Sequence, residues 1–142
     1  MSIEDNKAVY RRFVEEVINQ GNLDPIPDLF APDYVDHSLP PGAPPGLAAV
    51  RMIPSLFRGA FPDVHFTIEH LVGEGDFVTS HVTGRGTHQG VFMGVPPSGK
   101  QAVWASLGVF RVANGKIQEH WGVPDLLGLL QQIGGAPSPG AH

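Results

Sequence analysis

The sequence predicts an α+β fold, with a curved antiparallel sheet packed on helices from its N-terminal third. Two observations carry this. Apolar residues recur at helical spacing as far as Phe61, and after Pro62-Asp63 the period drops from 3.6 towards 2. The second is a hairpin signal: two β-branched and aromatic runs, 103–112 and 116–123, flank Asn114-Gly115.

The elements follow in order. Ser2 caps a first helix, with Asp5 three residues on as in a capping box. Val9, Phe13, Val14, Val17 and Ile18 form its apolar stripe, and Gln20-Gly21-Asn22 ends it. Residues 23–30 read as a short second helix, with Pro25 tolerable in its first turn. An extended piece, 34–38, and a Pro/Gly loop, 39–45, come next. A third helix covers 47–61 with Val50, Ile53, Leu56 and Phe57 on one face; Pro54 kinks it or marks its true start. Strands are expected at 64–71, 77–85, 90–93, 101–112 and 116–123, with turns at 73–76 and 95–99. Asp125 caps a last helix, 126–132, that Gly134-Gly135 stops. The expectation is one domain over 1–134 and a flexible Gly/Pro tail over 135–142.

Composition narrows the function. The chain has 142 residues, net charge −5 and no basic run, which argues against nucleic acid as a partner. No apolar stretch approaches the ~20 residues that a membrane-spanning helix needs. Cysteine is absent, so there is no disulfide framework and no thiolate chemistry, which fits a cytoplasmic protein. The acidic, amphipathic N-terminus is unlike a signal peptide.

Chemistry is sought first in the hairpin. A three-residue loop, Ala113-Asn114-Gly115, would pair Phe110 with Gln118, Gly108 with His120 and Ser106 with Gly122. One face then carries Trp104, Ser106, Gly108, Phe110, Gln118, His120 and Gly122, a mixture that suits a pocket lining. A two-residue turn would shift the register by one and put Trp121 there instead of His120. His120 reads either as a base in an apolar cavity or as a structural histidine bonded across the sheet. Asp36 and His37 lie where they can edge the cavity, and an acid there can orient His120 or accept a proton itself; turn chemistry, which Asp favours anyway, is the slightly better explanation of it. His88 lies in a turn, Gly86-Thr87-His88-Gln89-Gly90, where most residues are solvated. Trp104 and Phe110 can stack on a flat ligand or simply fill core. His65 and His70 have opposite strand parity and cannot share a metal, so no metal site is expected. Gly84-x-Gly86-x-x-x-Gly90 lies among strands and is no dinucleotide fingerprint, and no Gly-x-Ser-x-Gly elbow exists.

The segment from Gly86-Thr87-His88-Gln89-Gly90 through Val95-Pro96-Pro97-Ser98-Gly99-Lys100 resembles the central motif of the SnoaL-like polyketide cyclases, also called ester cyclase-like. So does Phe110-Arg111 with Gly115-Lys116-Ile117-Gln118-Glu119-His120-Trp121 and Asp125, running on to Gly134. The resemblance covers nearly the whole chain. It implies the nuclear-transport-factor-2-like fold, a cone of curved sheet closed by N-terminal helices, often as a homodimer. It implies ring closure of an aromatic polyketide ester by intramolecular aldol condensation, without metal or cofactor. In the family an acidic side chain removes the proton. That acid falls at Gly122, a second pocket histidine at Gly108, and a polar residue at Asp36. The chain thus keeps His120 and Asp36 and lacks the cyclases' own acid.

The expectation is a cofactor-free enzyme acting on a polycyclic or conjugated ketone, with His120 as base, Asp36 orienting it, and Trp104 and Phe110 holding the substrate plane. The alternatives are a non-catalytic binder of a hydrophobic small molecule and an assembly module whose cone is filled by its own side chains. The hairpin's other face, Val103, Leu107, Val109, Ile117, Trp121 and Val123, is expected to form a homodimer interface. Gly108 and Gly122 are expected to enlarge the pocket floor beside His120.

Overall fold

The computed structural model describes residues 2–39 and 41–137, so residues 138–142 of the expected tail lie outside the described residues. The capping box forms: the Ser2 hydroxyl accepts from the Asp5 amide and the Asp5 carboxylate accepts from the Ser2 amide, each at 3.0 Å. Helix α1 spans Ile3–Arg12. The chain continues over Phe13–Asn19 in wider turns with i→i+5 hydrogen bonds, which bring Val14, Val17 and Ile18 under cover together. Asn19 then imitates a strand partner: its amide donates to the Phe66 carbonyl at 2.9 Å and accepts from the Phe66 N–H at 2.8 Å.

Helix α2 is only Ile26–Leu29, shorter than the sequence suggested, because Phe30 is already extended and pairs with Ile117. Strand β1 is Phe30–Asp36. Helix α3, Leu47–Ala60, runs through Pro54. Four strands follow: β2 His65–Glu74, β3 Phe77–Thr87, β4 Gln101–Ala113 and β5 Lys116–Pro124. Helix α4, Leu126–Ile133, starts at Asp125, whose carboxylate accepts from the Gly128 amide at 2.9 Å. It ends at Gly134, whose φ of 87° is left-handed.

The sheet order is β1-β5-β4-β3-β2. Pairing is antiparallel from β2 to β5, but β1 joins β5 in parallel, a departure from the purely antiparallel sheet expected. The concave face meets the helices over a core in which Val17, Ile26, Phe61, Phe92, Ile117 and Leu129 are fully covered.

The expected strand at 90–93 does not form. The amides of Gln89 and Gly90 both donate to the Ala60 carbonyl, which ties this segment to the end of α3 and away from the sheet. Phe92 instead pairs locally with Val95 across a tight turn and buries its ring against Phe57 and Phe61.

The hairpin corrects the predicted register twice. The loop is two residues, Asn114 and Gly115, both with positive φ (55° and 75°), and Ala113 pairs with Lys116. By itself that turn would send His120 to the outer face. A bulge at Gln118 inserts one residue between the Val112–Ile117 and Arg111–Glu119 pairs and restores the parity. His120 therefore faces inward, but opposite Phe110; Gly108 faces Gly122 and Ser106 faces Pro124. Gln118 leaves the cavity face and its amide donates to the Ala113 carbonyl at 2.9 Å. Ile117 turns into the core and drops out of the expected outer patch.

A second bulge, between Ile68 and His70, corrects the parity argument for the histidines. His65 and His70 share the outer face, paired with Arg85 and His81. Those partners are four residues apart along β3, about 13 Å, too far to hold one ion.

A Cβ on Gly90 would overlap the Gly59 carbonyl and approach its carbon to 3.0 Å, whereas a Cβ on Gly59 meets nothing within 4 Å. The expected result is that Gly90→Ala lowers stability by roughly 2–3 kcal/mol, because neither backbone can yield. Gly59→Ala, on an exposed helical position, raises it by about 0.5–1 kcal/mol. Urea unfolding of both variants checks this.

Candidate functional site

Between the concave sheet face and the helices lies a cavity of about 470 Å³. Its walls are largely apolar: Phe13, Phe30, Val50, Ile53, Phe57, Phe66, Phe92 and Trp104 among others. No lysine or arginine lines it. Its titratable groups are Tyr10, Tyr34, Asp36 and His120, with Ser38, Ser80 and Ser106 beside them.

The polar end is built where β1 meets β5. Parallel pairing sets Asp36 against His120, and the His37 amide donates to the His120 carbonyl at 2.8 Å. Tyr34 and Asp36 alternate along β1, Ser38 follows in the turn after it, and all three line the cavity. The Asp36 carboxylate is saturated. One oxygen accepts from the Ser38 amide at 2.9 Å and from its hydroxyl at 2.5 Å. The other accepts from the Tyr34 hydroxyl at 3.2 Å and from His120 Nδ1 at 3.0 Å.

Only 3% of the Asp36 side-chain surface is exposed. Burial alone would raise its pKa, but the hydrogen bonds from His120 and Ser38, with the His120 charge, outweigh burial and hold it at about 2. Asp36 is thus an ionised acceptor, not a proton donor. Burial, and then the Asp36 charge, keep the Tyr34 phenol protonated far above its ordinary range. Burial pushes Tyr10 up to about 12, against a hydrogen bond with Ser80.

Because Asp36 can only accept, the proton between the two residues sits on His120 Nδ1. In the neutral ring Nε2 then keeps its lone pair. The ring stacks on Phe110, with centroids 4.3 Å apart and planes 14° apart. The hydrogen bond of the His120 ring runs through Nδ1, and Nε2 stands over Gly108 and Gly122 at the cavity floor. The arrangement fixes the orientation of the imidazole within a largely apolar cavity.

Of the residues singled out from sequence, Asp36, Trp104, Ser106, Gly108, Phe110, His120 and Gly122 meet in this cavity. His37 does not: it stacks on Trp121 on the outer face, centroids 4.7 Å apart, and bonds Glu119 at 2.7 Å. Nor does His88, which is neither in the cavity nor solvated. It is fully buried against Phe61 and clamps the loop 88–100, its Nδ1 accepting from the Ser98 amide at 3.1 Å. Tyr34 and Ser38 were missed; their alternation with Asp36 was the signal available.

The expected enlargement of the pocket floor by Gly108 and Gly122 is not what the glycines provide. The His120 ring itself occupies that room. A Cβ on Gly122 would lie 2.6 Å from Nε2, and one on Gly108 would lie 3.1 Å from it.

The family model for the SnoaL-like polyketide cyclases matches residues 8–133. This chain belongs to the SnoaL-like polyketide cyclase family. Among its curated relatives is the nogalonic acid methyl ester cyclase of Streptomyces nogalater, 28% identical over 118 residues, 82% of this chain and 88% of the relative. Another is the aklanonic acid methyl ester cyclase DnrD of Streptomyces peucetius, 26% identical over 119 residues, 84% and 72% of the two chains. The crystal structure of IdmH from Streptomyces antibioticus superposes with a TM-score of 0.80 at 33% identity, covering 91% of this chain and 98% of that one. The curled five-stranded sheet with its helices is the fold of this SnoaL-like group.

Asp36 makes the site acid-sensitive. Its folded pKa, about 2, lies below the ordinary 3.8, so its contribution to stability is complete above the ordinary value and lost as pH falls through the folded one. The expected size is about 2 kcal/mol, most of it gone by about pH 2. Urea unfolding of wild type and Asp36→Asn checks this. The gap between them should narrow by that amount from about pH 5 to about pH 2.

Proposed function

We propose that this SnoaL-like protein closes a ring in a neutral, fused-ring polyketide ester by acid–base catalysis, with His120 as the base. His120 Nε2 takes the proton α to a carbonyl, and the electron pair of that C–H bond becomes the enolate of the conjugated substrate. The enolate carbon attacks a second carbonyl carbon, a C–C bond forms, and the imidazolium returns its proton to the resulting alkoxide. The conjugated substrate carries the negative charge, so this chemistry calls on no cofactor. Asp36 holds the imidazole in the required tautomer and stabilises its charged form. Trp104 and Phe110 supply apolar aromatic wall for the rings, with one face of Phe110 already covered by His120.

The observation that carries this reading is the Asp36–His120 pair at the one polar end of an apolar cavity. The names of the curated relatives support the substrate class. The lack of any lysine or arginine in the lining favours an ester over a free acid, since a carboxylate would be buried uncompensated beside ionised Asp36. Incubation with nogalonic acid methyl ester and aklanonic acid methyl ester tests it. Turnover should fall about 10²–10⁴-fold in His120→Gln. Tight binding of either ester without turnover would instead favour the accessory, ligand-carrying role.

We propose as well that two copies pair through the outer sheet face. Val103, Leu107 and Val123 stand 53%, 54% and 74% exposed on it, beside Trp121. Sedimentation at micromolar concentration should show a dimer for the wild type and a monomer for Leu107→Glu.

A further inference from the structure

We infer that Gly108 and Gly122 are positioning residues for His120: the bare backbone of these two facing glycines is the seat on which the imidazole lies. This rests on the reading of His120 as the base and adds what holds it.

Neither glycine has the positive φ that would require glycine on backbone grounds. Both sit inside strands, where glycine costs about 0.5–1 kcal/mol relative to alanine. What they leave free is space, and the ring fills it. A Cβ at 122 would meet His120 Nε2 at 2.6 Å and Cε1 at 2.7 Å, and one at 108 would meet Phe110 Cε2 at 3.0 Å and Nε2 at 3.1 Å. The first pair is well inside contact distance, and the ring is not free to give. Its face is stacked on Phe110 and its Nδ1 is tied to Asp36. A methyl at 122 must therefore break the stack or the bond to Asp36.

The fold uses the same device once more on this face. A Cβ on Gly84 would strike the indole of Trp104 at 2.5 Å. There the ring seated on glycine is core; at 108 and 122 it is the imidazole tied to Asp36. A side chain at 122 and the present pose of His120 exclude each other, so the pair of glycines decides which group can serve as base.

The test reads the imidazole directly. In ¹⁵N-histidine-labelled protein, long-range ¹H–¹⁵N correlations report the His120 tautomer, with His120→Gln assigning the resonance. The wild type should show protonated Nδ1 and bare Nε2. Gly122→Ala should move both nitrogens towards the averaged values of a mobile ring, Gly108→Ala should move them less, and Gly59→Ala should not move them. On nogalonic acid methyl ester, Gly122→Ala should lower kcat about a hundredfold with KM little changed, the cost of misplacing a base by about 1 Å. Unchanged His120 resonances in folded Gly122→Ala overturn the inference. Should that variant not fold, unchanged resonances in Gly108→Ala overturn it equally. A wild type that shows the tautomer and its response but converts no ester leaves the seat standing and removes the cyclase reading.

Discussion

The hydrogen bond between Asp36 and His120 joins residues 84 apart in sequence, and much of the site answers to its requirements. A carboxylate taken out of water must find several donors or give up its charge. Asp36 finds four, from Ser38 twice, Tyr34 and His120. Two come from Ser38, two residues on in the turn after β1, one from the same strand face, and one from across the parallel β1–β5 seam. Remove the seam and the carboxylate loses its His120 donor. The parallel edge strand is the detail of topology on which the Asp36–His120 pair depends.

That bond has an electrical consequence for the whole cavity. An ionised Asp36 with no lysine or arginine in the lining leaves one negative charge at the polar end of an apolar space. Such a field welcomes a developing imidazolium and opposes an incoming anion. Tyr10 and Tyr34, held protonated by burial, remain hydroxyls in the same space and add no charge.

Two irregularities put His120 where that field is. The tight Asn114-Gly115 turn would turn it outward, and the Gln118 bulge turns it back. The glycines at 108 and 122 then leave the room that the Nε2 edge of the ring occupies. The family resemblance placed a missing acid at Gly122, and the vacancy looked like added room for ligand. The geometry reads differently: the room belongs to the histidine.

The sequence by itself determined a good deal. The Ser2–Asp5 box, the Asp125 cap, the change of period after Pro62 and the long hairpin are local, since each is written in side-chain spacing and in bonds between near neighbours. The family and the candidates Asp36 and His120 were legible from motif and residue type. Their meeting was not, because strand order and parallel pairing are long-range choices that no local pattern encodes. The bulges at Gln118 and Glu69 were hidden for a related reason: an extra residue in a strand leaves the composition unchanged and reverses every face beyond it. Residues 90–93 look like a strand, yet only the tertiary structure supplies the Ala60 carbonyl that captures their amides. His88 looks like a solvated turn residue until Phe61 and Ser98 close over it. Which side chain fills a glycine's space is decided last, by packing across strands, and here it decided the place of the His120 ring.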